Sequence, residues 1–330
     1  VTTEWELPRL RPADEDALDA ALRLLAGRAD TWGGGLSDHG PMGADALLQL
    51  GCAWEVVAWT CRYAERLAPV GPETAALRAR LRGRLDRDGW KAVLADTLPL
   101  LLPGVLAGAF HGVIRVAHAA RMVEARDVPL RRDELAAALA SFVEGRTPLG
   151  DPPRVDGARD PRVILDTLPA APPGEEWSIT PRAVAAAAVP GFAAAIEGAD
   201  LPTEPVSALH VLAEVGRDLL LAQPHAPVVY VHAITGPQAV AALVPLLDRT
   251  AAQEAVAYTW QALCAVHAAH RRPPADPDDE GLPDWPAVIA AAVASGDEHA
   301  IKGALACAVG DLRRPDPRWR RAASRLGRAG

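Results

Sequence analysis

Phenylalanine and tyrosine are scarce in this chain: three of each stand against nine tryptophans in 330 residues. Runs of β-branched residues long enough for a strand are equally few, which argues against a sheet-based core. The four cysteines, Cys52, Cys61, Cys264 and Cys307, make no CxxC pair and are too scattered for a disulfide framework, so a reducing, cytoplasmic compartment is expected. Positive charge is short as well. Thirty-four Lys and Arg against 42 Asp and Glu leave a net charge of -8, which argues against a nucleic-acid surface. The polar, acidic opening VTTEWELPRLRPADED is no signal segment, and no uninterrupted apolar run reaches about 18 residues, so neither export nor a membrane span is expected. GxSxG, HExxH, a phosphate loop and a GxGxxG after a strand are all missing, and Gly33–Gly35 lacks a preceding strand. A NAD or flavin cofactor therefore has no visible seat.

What is present is alanine, leucine and valine. Half of the residues are apolar, and Ala and Leu are the strongest helix formers, so an all-α fold is expected. The reading is a single large multi-helix domain over residues 1–330, crossed by a Pro-, Gly- and Asp-rich surface linker at about 147–178, with a buried histidine-rich metal site. Amphipathic or apolar patterns place helices at about 14–26, in ADALLQL to Gly51, at 54–67 and to about Leu85. Two more follow between Trp90 and Arg126, divided by Pro99 and Pro103. Further patterns fall at about 182–197, 206–221, 237–247, 252–270, 285–295 and from DEHAIK onward. PHAPVVYVHAITGP alone has strand character, and it reads as a short strand or a buried extended link. The acidic PPADPDDEGLPDW reads as a loop, and the arginines at 313–314 and 318–321 as a solvated end. Gly104, Gly108 and Gly112, four apart, would share one helix face and let another backbone approach closely.

Histidines carry the chemical signal. In HGVIRVAH, His111 and His118 are seven residues apart, almost two helical turns, so they share a stripe with about 10.5 Å between them along the axis. Both sit among Val, Ile and Ala, where an imidazole needs a partner. Arg115 lies between them on that face, suited either to orienting an anionic substrate or to holding a carboxylate that steadies an imidazole. In DEHAIK, His299 and Lys302 are neighbours one turn apart. Lys302 either snorkels to water or, if buried, releases its proton and offers a neutral amine for carbamylation. His39 in SDHGPMG falls near a helix start and His232 in VVYVHAIT at another break, whereas His210, His225, His267 and His270 read as capping, surface or satisfied interior groups.

The segments SDHGPMGADALLQLG, LLPGVLAGAFHGVIRVAHAAR, VHAIT and GDEHAIK occur in the order in which the questin oxidase-like family has them, and on them the chain resembles that family. The resemblance implies an all-helical oxygenase of aromatic polyketide biosynthesis that uses Fe(II) and O2 on a polycyclic, anthraquinone-like substrate. It implies His39, His111, His232 and His299 as metal ligands with Lys302 as a carboxylated one, and leaves His118, with Arg115, as catalytic or supporting groups. Trp260 and Thr235 are the expected substrate-pocket residues. The chain is shorter than the fungal members, and its 147–178 linker has no counterpart among them. Two other functions fit the same residues: a metal-dependent hydrolase on a helical histidine cluster, and a non-enzymatic helical interaction protein whose histidines merely satisfy the core.

Overall fold

The computed structural model describes residues 5–33, 35–172, 179–273 and 282–329. Helices dominate these residues, as the alanine and leucine content requires. In chain order α1 covers Pro12–Leu25, α2 Gly40–Gln49, α3 Ala53–Ala64 and α4 Pro72–Asp88. Then come α5 (Trp90–Leu101), α6 (His111–Ala125), α7 (Pro129–Gly145) and the short α8 (Pro161–Asp166). They are followed by α9 (Ile179–Ala187), α10 (Phe192–Ala195), α11 (Pro205–Ala222) and α12 (Pro227–Leu243). The last four are α13 (Arg249–His270), α14 (Trp285–Ser295), α15 (Glu298–Arg313) and α16 (Pro317–Ala329). A two-residue hairpin, Thr31–Trp32 against Leu36–Ser37, is the sheet structure among the described residues. The triple glycine thus does follow a strand, of two residues, but Gly34 itself lies outside the described residues.

The chain divides into two compact units. The first is built from residues 1–90, 115–144 and 279–330. In it α2 packs on α1, α3 and α15, and α16 closes over α14 and α15. Gly43 on α2 is required by the Trp59 indole of α3, because a Cβ there would lie 2.3 Å from the ring. The Trp59 N–H in turn donates to the Gly296 carbonyl between α14 and α15, at 2.9 Å. One indole therefore ties together the elements that carry His39 and His299.

The C-terminal arginines do not form a merely solvated end. Trp319, Ala322, Ala323 and Leu326 recur at helical spacing and are buried, so α16 docks through an apolar stripe; Arg318 and Arg328 stay exposed, while Arg325 is buried with the stripe. Gly310 of α15 receives the Trp319 ring, with a would-be Cβ 2.7 Å from it.

The second unit holds residues 91–114 and 145–278, with α11 against α12 as its most extensive helix pair and α13 packed on α9, α11 and α12. Gly216 of α11 lets the two backbones meet: a Cβ there would lie 2.0 Å from the Ala233 carbonyl oxygen. PHAPVVYVHAITGP is neither a strand nor an extended link but the first half of α12. Its β-branched run is overruled by tertiary burial, which is unbroken from Tyr230 to Pro237 although Val228 in the first turn is exposed. The stretch Pro227–Leu246 is long and apolar enough to cross a membrane, yet 78% of its most apolar window is buried inside the structure, which marks it as a core helix. The glycine stripe dissolves as well. Gly104 ends a 3-10 turn where the Thr147 backbone comes close, Gly108 has φ 53°, and Gly112 is the second residue of α6. The linker carries α8 and pairs with residues 198–201 through Gly157 and Arg159; its residues 173–178, and residues 274–281 of the acidic loop, lie outside the described residues.

Candidate functional site

Among the described residues, His39, His111, His232 and His299 are the side chains suited to holding a metal ion. Each unit presents two of them as a pair.

In the first unit, the hairpin delivers Asp38 and His39 to the start of α2. The Asp38 carboxylate accepts the Gly40 N–H at 2.8 Å, and the His39 N–H donates to the Tyr63 hydroxyl at 2.7 Å. The His39 ring is fixed by its Nδ1, 2.6 Å from the Ser37 carbonyl. Opposite stands the first turn of α15, where Asp297 caps the helix by accepting the N–H groups of His299 (2.9 Å) and Ala300 (2.8 Å). Gly296, at φ 68°, ends α14 immediately before it and makes this sharp entry possible. The two rings meet edge to face with centroids 4.6 Å apart. Burial, with Lys302 adding to it, holds the His299 imidazole down to about 3, so the ring is neutral at ordinary pH. Lys302 is one turn further along and 3% exposed. It does not snorkel. Burial lowers its ammonium to about 7 against the opposing pull of Glu298, Asp297 and Asp38.

In the second unit, three consecutive residues, Gly108, Ala109 and Phe110, have φ of 53°, 58° and 69° and lead into His111 at the start of α6. His232 occupies the middle of the buried α12. The two imidazoles face each other Nε2 to Nε2 at 3.1 Å, with centroids 4.5 Å apart. Each is anchored from behind: His111 Nδ1 by the Gly108 carbonyl, His232 Nδ1 by the Val228 carbonyl at 2.7 Å.

A carbonyl oxygen only accepts, so in His39, His111 and His232 the Nδ1 carries the hydrogen, and in the neutral ring Nε2 carries the lone pair. Donation of the rear N–H to a backbone carbonyl is the device that orients imidazole ligands and raises their basicity. Two nitrogens bound about 2.0–2.1 Å from one metal, at right angles, are about 3 Å apart, and the 3.1 Å separation of His111 and His232 meets that spacing. The donor set suits a divalent first-row metal.

Arg115 has another task than binding a substrate anion. Its guanidinium is buried and forks onto Glu134 (2.7 and 3.0 Å), and it reaches Asp30 at 2.5 Å and Asp38 at 3.6 Å. Arg78 adds a second bond to Asp30 at 2.6 Å. With its donors committed to these carboxylates, Arg115 fixes Asp38, the residue beside His39, which is the carboxylate-holding role of the two expected for it. Burial pushes the Asp38 and Glu134 carboxyls up, against the pull of Arg115.

His118 turns to Asp45 of α2, its Nδ1 2.7 Å from a carboxylate oxygen. Asp45 has no exposed surface and is also held by Arg121 and Gln49. Burial alone would raise its carboxyl, but Arg121 and His118 outweigh that and bring it to about 2. Trp260 is not a pocket wall: it is fully buried, and its N–H donates to the Ile196 carbonyl at 3.0 Å, which makes it core. The Thr235 hydroxyl donates back to Val231 within α12 at 3.0 Å. Of the supporting residues, Asp30, Asp45, Tyr63 and Glu134 have no mark in the sequence.

Comparison with protein-family models, curated proteins and solved structures gives no match.

Proposed function

We propose that the chain is a metal-dependent oxygenase in which His39, His111, His232 and His299, with Lys302 as a carboxylated lysine, hold one iron. The observation that carries the metal reading is the His111–His232 pair, two buried imidazoles with rear N–H groups tied to carbonyls and Nε2 atoms 3.1 Å apart. Each pair alone gives two nitrogens, fewer than the three protein ligands a catalytic metal site ordinarily has. Pooling the pairs makes a sufficient set. The preference for iron and for a polycyclic phenolic or hydroquinone substrate rests on the resemblance to questin oxidase-like proteins, whereas a cytoplasmic setting rests on the four free, scattered thiols.

Bound iron would supply a redox centre at which O2 takes electrons from an electron-rich aromatic ring, with no organic cofactor. The chain's own residues do the rest. Backbone carbonyls keep the ligand imidazoles aimed and in the Nδ1–H tautomer, and burial disfavours the protonated forms of His299 and Lys302, which would repel a cation. The Asp45 carboxylate holds the proton of His118 on Nδ1, which leaves His118 Nε2 as the atom able to accept a phenolic proton.

The test is elemental analysis of the purified protein together with oxygen consumption on hydroxylated anthraquinones. About one iron per chain and substrate-dependent O2 uptake are expected. Stoichiometric zinc or manganese, with turnover that needs no oxygen, would transfer the site to the hydrolase reading, and absence of any bound metal would leave the histidines as core. Carbon-13 bicarbonate should label Lys302 in the metal-loaded protein and leave Lys302→Met unlabelled.

A further inference from the structure

Left-handed backbone at three successive residues, two of them not glycine, is rarely tolerated unless the surroundings impose it, and such strain gathers at functional positions. Gly108, Ala109 and Phe110 form such a run directly before His111. Two contacts hold it. The Thr180 hydroxyl, in the first turn of α9, accepts the Ala109 N–H at 2.8 Å and donates to the Leu106 carbonyl at 3.5 Å, so that one side chain spans the turn from Leu106 to Ala109. The Phe110 ring is fully buried against Gly236 of α12, where a Cβ would lie 2.7 Å from it. Gly236 is four residues after His232, one turn along the same face. The turn also aims the Gly108 carbonyl at both the N–H and the Nδ1 of His111.

We infer that this strained turn, latched by Thr180 and seated on Gly236, is a positioning device that sets the tautomer of His111 and its direction toward His232. Thr180 and Phe110 are then positioning residues that act through the histidine. The effect on the His111 ring is independent of any metal, whereas the effect on metal affinity rests on the function proposed above.

Three variants and three readouts test it. Thr180→Val removes the hydroxyl at nearly constant volume, Thr180→Ser keeps it, and Ala109→Gly relieves strain without removing a side-chain contact at the site. In chelator-treated protein, nitrogen-15 ring shifts report the tautomers of His111, His232 and His299. Thr180→Val should move the His111 signals toward a mixture of tautomers and leave those of His299 in place, and Thr180→Ser should restore them. Titration with Co(II) alone should show affinity about 10-fold weaker for Thr180→Val, the lower end of the range for groups that orient metal ligands. Ala109→Gly should raise the urea midpoint and yet weaken Co(II), a pair of opposite changes that a purely structural turn would not give. Unchanged His111 signals in Thr180→Val, or a stabilised Ala109→Gly with parental ring shifts and parental Co(II) affinity, would overturn the inference. If Thr180→Val does not fold, Ala109→Gly and Thr180→Ser decide it. Altered ring shifts in a protein that binds no Co(II) in its parental form would uphold the latch and refute the metal reading instead.

Discussion

Replacing Lys302 with methionine should stabilise the metal-free protein and remove a specific pH dependence from it. Burial lowers the ammonium from 10.5 to about 7 in the folded chain. Between about pH 7 and 10.5 the unfolded chain therefore holds a proton that the folded chain has lost, and stability rises with pH over that window. Each pH unit is worth about 1.4 kcal/mol, so the whole window amounts to about 5 kcal/mol. Below pH 7 both states are protonated and the full penalty of a buried cation is present, with no further slope. Lys302→Met keeps an unbranched side chain of similar length and lacks the charge, so it should be about 4 kcal/mol more stable than the parent at pH 7, with the gap closing toward pH 10.5. Urea unfolding of both proteins in chelator at pH 6 to 10 measures this. All other titrating groups are common to the two chains, so the difference between them isolates Lys302. A difference that stays constant from pH 7 to 10, or a variant less stable than the parent at pH 6, would refute the reasoning. Either result would mean that the ammonium is fully paired by Asp38, Glu298 and Asp297, and no neutral amine would then be available for carboxylation.

His111→Ala should abolish metal binding, while His118→Ala should keep most of the metal and lose most of the turnover, because His118 is engaged by Asp45; equal metal loss in both, measured by elemental analysis, would make His118 a ligand. Trp319→Ala should cost about 3–5 kcal/mol in urea unfolding, the range for a buried tryptophan, since this fully buried ring packs directly on Gly310; a loss below about 1 kcal/mol would show that the ring does not anchor α16.

The helical fold was readable wherever a helix has one wet face. The periodicity of α1, α3, α11 and α13 placed them within a few residues of their observed ends. It failed for α12, where Val228, Val229 and Val231 suggest a strand, because a helix buried on nearly all sides shows no polar stripe from which its period could be read. It failed again for α16, whose arginines mask Trp319, Ala322, Ala323 and Leu326 at helical spacing. Among the site residues, the histidines and Lys302 stood out as polar groups in apolar surroundings. Their supports did not. Asp45 meets His118 across 73 residues and Thr180 meets Ala109 across 71, and pairing at such distance leaves no pattern in a single sequence. Arg115 was legible as functional with two roles open, and only the fold chooses the carboxylate-holding one, since the three carboxylates that take up its donors come from distant segments.

The first unit is threaded from three stretches of chain, and its last stretch begins only at residue 279. A ribosome adds residues in order, at about 5–20 per second. Residues 145–278 must therefore emerge before α14, α15 and α16 can reach α2 and α3, a delay of roughly 7–27 s at that pace. Through that interval the apolar side of α2, and the Trp59 indole whose carbonyl partner is Gly296, have been synthesised without the helices that cover them. The second unit has all of its segments by residue 278. The histidine pair of α6 and α12 can thus be in place while the ring that completes the other pair, His299, has not yet emerged from the ribosome, so the order of synthesis separates the two halves of the ligand set in time.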